Sequence, residues 1–215
     1  MQLYRHSAFT ILELVIVIVI LGILTKLSMS RMDRDFKQEA ADNILSAIRY
    51  TQHLALLDNK HMSTNSKWEQ RWWKIMFNTC SDDTLFYRIG SDNNMNSRGT
   101  FTLKESAIDP ANGKPMYMTN AGNCDVSNIS PNILVGRKYG VHLTENTCGR
   151  DTTAHIGFDH LGRPHQGYGA STQPSHRSYI ENSCGFTFTL SDGDSFTIQI
   201  QPETGYAQIV NQPNQ

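Results

Sequence analysis

Ala8-Phe9-Thr10-Ile11-Leu12-Glu13-Leu14-Val15-Ile16-Val17-Ile18-Val19-Ile20-Leu21-Gly22-Ile23-Leu24 decides how the rest of the chain is read. The run is apolar apart from Thr10 and one acid, Glu13, which sits near its start and a few residues from the N-terminus. A carboxylate inside a bilayer costs about 2.5–3.5 kcal/mol on insertion scales. A segment that keeps one there is expected to use it, and its partner has to be a positive charge. Apolar character continues to Leu27, and Lys26 can extend its ammonium towards headgroups. Residues 9–27 therefore just reach the length that spans a bilayer core. A secretory signal peptide cut near Ser28-Met29-Ser30 and a plain single-pass anchor are the alternatives. Neither gives Glu13 a use.

Working outward, helical periodicity continues past the apolar run. Phe36, Ala40, Ile44, Ala47, Ile48, Thr51, Leu54 and Ala55 recur at three- and four-residue steps, one stripe of an amphipathic helix. Lys37, Asp42, Arg49 and Gln52 fall on other faces. No proline or glycine interrupts residues 23–58, and Asp58-Asn59 is a plausible stop. The expectation is one helix from Phe9 to Leu57, roughly 75 Å long at 1.5 Å per residue.

The chain has 215 residues, enough for an anchor and one moderate domain. Charge is nearly balanced, 19 Lys+Arg against 20 Asp+Glu, which argues against nucleic-acid binding by bulk charge. The four cysteines, Cys80, Cys124, Cys148 and Cys184, show no zinc-knuckle or C-x-x-C spacing, so export would make two disulfides the default. Cys148 precedes a strand expected at 154–159, and Cys184 opens a hairpin strand placed beside it. That argues for Cys148–Cys184, leaving Cys80–Cys124; a Cys80–Cys184 link would overturn it.

Beyond the helix the pattern is β-rich. A strand from Trp72 to Phe77 is answered by Leu85–Ile89 across Ser81-Asp82-Asp83, a hairpin. Trp68, Trp72 and Trp73 are read as packing residues, with a stacking surface for sugars or bases as the alternative. Residues 90–132 are rich in Asn, Ser, Gly and Pro, with turns at 109–113 and 120–122, and form an irregular, partner-facing insertion fastened by Cys124. Strands are expected again at Asn132–Val135 and 154–159, with a turn at 161–164. Phe186–Leu190 and Ser195–Ile200 flank Asp192-Gly193, a strong hairpin signal, and Tyr206–Val210 closes the chain's strands.

No nucleophile elbow, P-loop, zincin or dinucleotide pattern occurs. His155, His160, His165 and His176 follow no ligand spacing, and His155 is expected to point outward. Asp192 and Asp194 are read as turn residues rather than calcium ligands. The tail Asn211–Gln215 is uncharged and offers DNA no handle. The expectation is no enzyme, no cofactor and no metal.

Phe9-Thr10-Ile11-Leu12-Glu13, after a short leader with Arg5 and His6 and before the apolar run, resembles the prepilin-type signal of type IV pilins and type II secretion pseudopilins. Ala8 stands where that family commonly has Gly, and Ser30 where major subunits carry a helix proline. The stretch 42–55 and the C-terminal hairpin and strand are similar to H-type minor pseudopilins. The resemblance implies an α+β, type IV pilin-like fold, a long N-terminal helix packed on a C-terminal antiparallel sheet. The implied parts are a leader (1–8), a membrane part of the helix (9–27), its amphipathic part (28–58), and a periplasmic domain (59–215). It implies cleavage between Ala8 and Phe9 by prepilin peptidase, methylation of the Phe9 amine, and pairing of Glu13 with that amine on a neighbouring copy. The implied partners are other pilin or pseudopilin subunits, an inner-membrane assembly platform, and a secreted substrate or DNA. The implied place is the inner membrane, single-pass, with the domain in the periplasm. A membrane-anchored binding module for DNA or a secreted substrate, using the 90–132 loop and the tryptophans, is the alternative.

Overall fold

A computed structural model describes residues 10–62, 64–96, 99–119, 124, 127–149, 154–167, 169, 173 and 178–210; the side chains of 27–35 lie outside that description. The first helix, α1, runs Ile11–Leu57 and begins because Thr10 caps it in extended backbone. It stops at Asp58, whose N–H bonds Ala55 O at 3.3 Å. Its second half buries Ala40, Ala41, Ile44, Leu45, Ala47, Ile48, Thr51 and Ala55, the apolar face of a 3.6-residue period. Four of these are alanines, so the helix axis approaches its neighbours closely. Two members of the expected face pattern are corrected. Phe36 is 42% exposed, and Lys37 is buried, with its ammonium 3.3 Å from Asp194.

Two antiparallel sheets pack against this face. The first contains β1 (Trp73–Thr79), β2 (Leu85–Gly90), β4 (His155–Phe158) and β5 (Pro164–His165), in the order β2-β1-β4-β5. The second contains β3 (Val141–Asn146), β6 (Cys184–Leu190), β7 (Ser195–Ile200) and β8 (Ala207–Val210), in the order β3-β6-β7-β8. In the first sheet Ile75, Phe77, Tyr87, Ile89, Ile156 and Phe158 occupy alternate positions and join the core, while Lys74, Met76 and Phe86 between them are buried as well. Phe77 meets Phe186 and Phe188 of the second sheet, ring centroids 5.0 and 5.3 Å apart, so the two sheets share one core. A short helix, α2 (Val135–Tyr139), fills the gap beside β2 and ends on Gly140 in the left-handed conformation.

The expected architecture is therefore corrected. There are two antiparallel sheets where one C-terminal sheet was expected, and β1, β4 and β5 belong to a different sheet from the C-terminal strands. Among the described residues no helix is long and apolar enough to cross a membrane. The single-pass inner-membrane anchor expected over 9–27 is overturned on that ground.

Local expectations divide in the same way. Both hairpins, β1–β2 and β6–β7, form in register. The strand expected at Asn132–Val135 is instead a 3-10 turn at Pro131–Ile133 running into α2. Ser130-Pro131 is a helix-start signal, and the Ser130 hydroxyl accepts the Asn132 N–H at 3.2 Å. The strand β3 was missed, as was the two-residue β5 next to the expected turn at 161–164. Val141 and Leu143 alternate as they should, but a register shift between Leu143 and Glu145 breaks the period.

Candidate functional site

The unusual surface of this molecule is the first half of α1. From Ile11 to Leu24 its large apolar side chains are 49–84% exposed, so among the described residues little packs on them. A methyl built on Gly22 would meet nothing within 4 Å. Covering half of such an aliphatic side chain gains on the order of 1 kcal/mol. A partner lying along the whole run would gain on the order of 10 kcal/mol before the cost of association.

Glu13 sits at the head of this surface, and the structure gives its carboxylate partners within the chain. Oε2 accepts the Thr10 N–H at 3.1 Å and the Thr10 hydroxyl at 3.2 Å, while the Glu13 N–H donates to Thr10 Oγ1 at 3.3 Å. This is a capping box, and the acid also faces the positive end of the helix dipole. The premise that Glu13 gains nothing without a second chain is thereby revised. Thr10-Ile11-Leu12-Glu13 carries the S/T-x-x-E signature openly, so the signal was present in the sequence. The expected cleavage residues Ala8 and Phe9 lie outside the described residues.

Both disulfides form as expected, Cys80–Cys124 and Cys148–Cys184, with Cα–Cα distances of 5.8 and 4.8 Å. The reason given for the second was wrong. The strand at His155–Phe158 is in the first sheet; Cys148 reaches Cys184 because it follows β3, the hydrogen-bonded neighbour of β6. Asp82 lies with Cys80 and Cys124 in a cluster of metal-ligand atoms, but both thiols are spent in the disulfide.

The histidines separate. His176 lies outside the described residues and His160 is half-buried in a turn. His165 is buried, its Nδ1 3.0 Å from Ser178 Oγ and its Nε2 3.2 Å from Asp159 Oδ2. An acid, an imidazole and a hydroxyl in series invite comparison with a hydrolase triad, but Ser178 is 4% exposed and Trp72 stacks 4.0 Å from the imidazole. No substrate reaches that hydroxyl. Asp159 also accepts the Leu161 and Arg163 N–H groups at 2.9 Å and pairs with the Arg163 guanidinium at 2.7 Å. Burial alone would raise its pKa; the bonds from His165 and Arg163 outweigh that and hold it well below the usual carboxylate range. The cluster pins the turn between β4 and β5.

The tryptophans likewise do not form a free platform. Trp72 is buried, Trp73 donates its indole N–H to Asp58 at 3.0 Å, and Trp68 packs edge-on against Trp72. A groove of about 650 Å³ runs between α1 and residues 109–116, lined among others by Asp42, Tyr50, Tyr87, Asp109 and Tyr139. Its polar groups are largely engaged with one another. Tyr50 donates to Ile108 O at 2.8 Å, Tyr87 to Asn43 at 3.1 Å, and Asp109 accepts from Ser130, Asn112, Asn132 and the Ala111 N–H. Asp194, a calcium ligand in one reading, pairs with Lys37, and Asp192 accepts the Asp194 N–H at 2.9 Å within the turn.

Comparison with protein-family models, curated proteins and solved structures finds no match to this chain.

Proposed function

We propose that this chain is a pilin-like structural subunit that assembles with copies of itself or related subunits through the exposed apolar half of α1. The observation that carries the reading is the unpartnered run from Ile11 to Leu24, headed by Glu13. The prepilin-type signal supports the same reading: prepilin peptidase would cut between Ala8 and Phe9 and leave a free, methylated amine beside the helix start. Glu13 of one copy would then meet the Phe9 amine of the next, while the capping box holds the carboxylate at the head of its own helix. Such filaments would serve protein secretion or DNA uptake. The competing reading, a binding module using the 90–132 loop and the tryptophans, loses the tryptophans as a free platform, because Trp72 is buried and Trp73 is bonded to Asp58.

The two roles of Glu13 can be separated. Glu13→Gln keeps a capping-box acceptor and removes the charge, whereas Thr10→Ala weakens the cap by about 1 kcal/mol and keeps the charge. Filaments are counted by electron microscopy, and cleavage is followed by the mass of the N-terminal peptide. Both variants should be cleaved; Glu13→Gln should lose filaments, and Thr10→Ala should retain a reduced number. Filaments of wild-type number and length from Glu13→Gln would overturn charge pairing as the basis of assembly.

A further inference from the structure

Along one side of the packed half of α1, Glu39, Asp42, Ser46 and Tyr50 follow one another at three- and four-residue steps. All four line the groove of about 650 Å³ that faces residues 109–116. From Glu39 to Tyr50 the helix rises about 16 Å, so the two ends of this row are well separated. Glu39 and Asp42 stand at one end. At the other, Tyr50 donates to Ile108 O at 2.8 Å, which places it beside Asp109.

Three carboxylates thus line one cavity, and among the described residues none of them has a cationic partner. Asp42 accepts the neutral amide of Gln38 at 2.9 Å. Asp109 is 4% exposed, and burial would raise its pKa; neutral donors from Ser130, Ala111, Asn132 and Asn112 hold it below the ordinary carboxyl value instead. Those donors solvate the charge without cancelling it. Its field reaches Tyr50 and Tyr87, whose pKa values are raised first by burial and then by Asp109.

Tyr139 is 8% exposed and lines the same groove, yet among the described residues nothing hydrogen-bonds its hydroxyl. Tyr50 and Tyr87 spend their protons on Ile108 O and Asn43 Oδ1, so both hydroxyl oxygens are left as acceptors. The chain also shows what this wall attracts: the Lys138 ammonium lies 4.7 Å from the Tyr139 ring centroid. Lys138 is exposed and is the one cation among the described lining residues.

We propose that the groove binds a linear aliphatic polycation, with one ammonium between Glu39, Asp42 and the Tyr139 hydroxyl and another near Tyr50 and Asp109. Its methylenes would lie on Met116, Pro110 and Ala47, which line the groove as well. A free polyamine and a pair of lysines in a protein segment share this chemistry. The site is separate from the Ile11–Leu24 surface and does not depend on assembly through it.

Isothermal titration of the full chain in a non-ionic detergent tests this with two probes, spermidine and the peptide acetyl-Lys-Ala-Ala-Lys-amide. At least one should bind with one site per chain, and more weakly in 1 M salt, where the Debye length is about 3 Å. Spermidine alone assigns the site to a free polyamine, the peptide alone to a protein segment, and both to the shared chemistry. Tyr139→Phe, which removes only the hydroxyl, should weaken binding about tenfold. The double variant Glu39→Gln, Asp42→Asn alters two exposed side chains and should weaken it about fivefold. Lys138→Met should strengthen it about threefold by removing the chain's own competing cation. Glu181→Gln, an exposed acid outside the groove, should change nothing. The proposal fails if neither probe binds at millimolar concentration. It fails equally if Tyr139→Phe binds as wild type does, or if Glu181→Gln loses as much affinity as the double variant.

Discussion

Asp159 shows how much one side chain can hold in this molecule. Its two oxygens take the turn N–H groups of Leu161 and Arg163, the Arg163 guanidinium and the His165 ring. Its side chain is 3% exposed, so removing the charge leaves buried donors without an acceptor. Asp159→Asn should lower stability by about 1–3 kcal/mol, read as a fall in the denaturant midpoint near neutral pH. The sign with pH follows from the lowered pKa. The stabilisation is present above the unfolded carboxyl value of about 4 and is lost as pH falls through the native value. Wild type and Asp159→Asn should therefore converge as the medium is acidified below about pH 4; a constant difference from neutral to strongly acidic pH would refute the assignment. At the same scale, Gln52 is read from the sequence as lying off the apolar stripe of its helix. Its amide instead donates to Gly162 O at 2.8 Å and Thr204 O at 2.7 Å, one turn from each sheet. Gly205, at φ 63°, leaves the room for that approach.

At the scale of elements, the buried half of α1 is what the two sheets have in common. Ile48 is fully buried on that face, and Ile48→Ala should cost about 2–5 kcal/mol, measured by denaturant unfolding. A cost below about 1 kcal/mol would mean that the helix does not hold the sheets together. This face was legible because its period is 3.6 and uninterrupted, and both hairpins were legible because a polar turn separates two alternating strands. The elements that escaped are those where local chemistry and tertiary pairing diverge. Ile133-Leu134-Val135 reads as a strand by composition, yet Ser130-Pro131 turns it into a helix start. The split into two sheets was not legible at all. It depends on β1 pairing with β4 across a long loop, a choice made by packing rather than by either strand. The capping box at Glu13 was visible but overlooked, since an acid in an apolar run draws the eye to charge before hydrogen bonding. Alternation puts His155 on the face opposite the core, but it does not reveal that Phe101 and Tyr117 lie beside Arg88 on that face.

For the whole molecule, the contrast is between a domain that satisfies itself and a helix end that does not. Among the described residues, those beyond Phe36 build a core, two disulfides and paired strands, while the large apolar side chains of Ile11–Leu24 stay about half or more exposed. Under the proposed function, association would rest on the helix end. Replacing Val17 and Leu21 with Glu should leave the unfolding midpoint of the domain unchanged and keep the full chain monomeric by light scattering; filaments from this double variant would refute the proposed surface.

The pairing of β1 with β4 also has a consequence for time. Trp73 must find Phe158, so the first sheet closes a loop that contains the insertion, α2 and β3. Bringing such distant ends together costs entropy that is regained only when the contact forms, and chains rich in distant pairings fold slowly. The β6–β7 hairpin closes locally through Gly193. Stopped-flow refolding with the disulfides intact should therefore place the hairpin early and the β1–β4 seam late. Substitutions at Ile75 or Ile156 would then speed unfolding more than they slow folding. During synthesis β1 and β2 emerge with one flank of the sheet unpaired, and they wait in that state until His155–Phe158 leaves the ribosome.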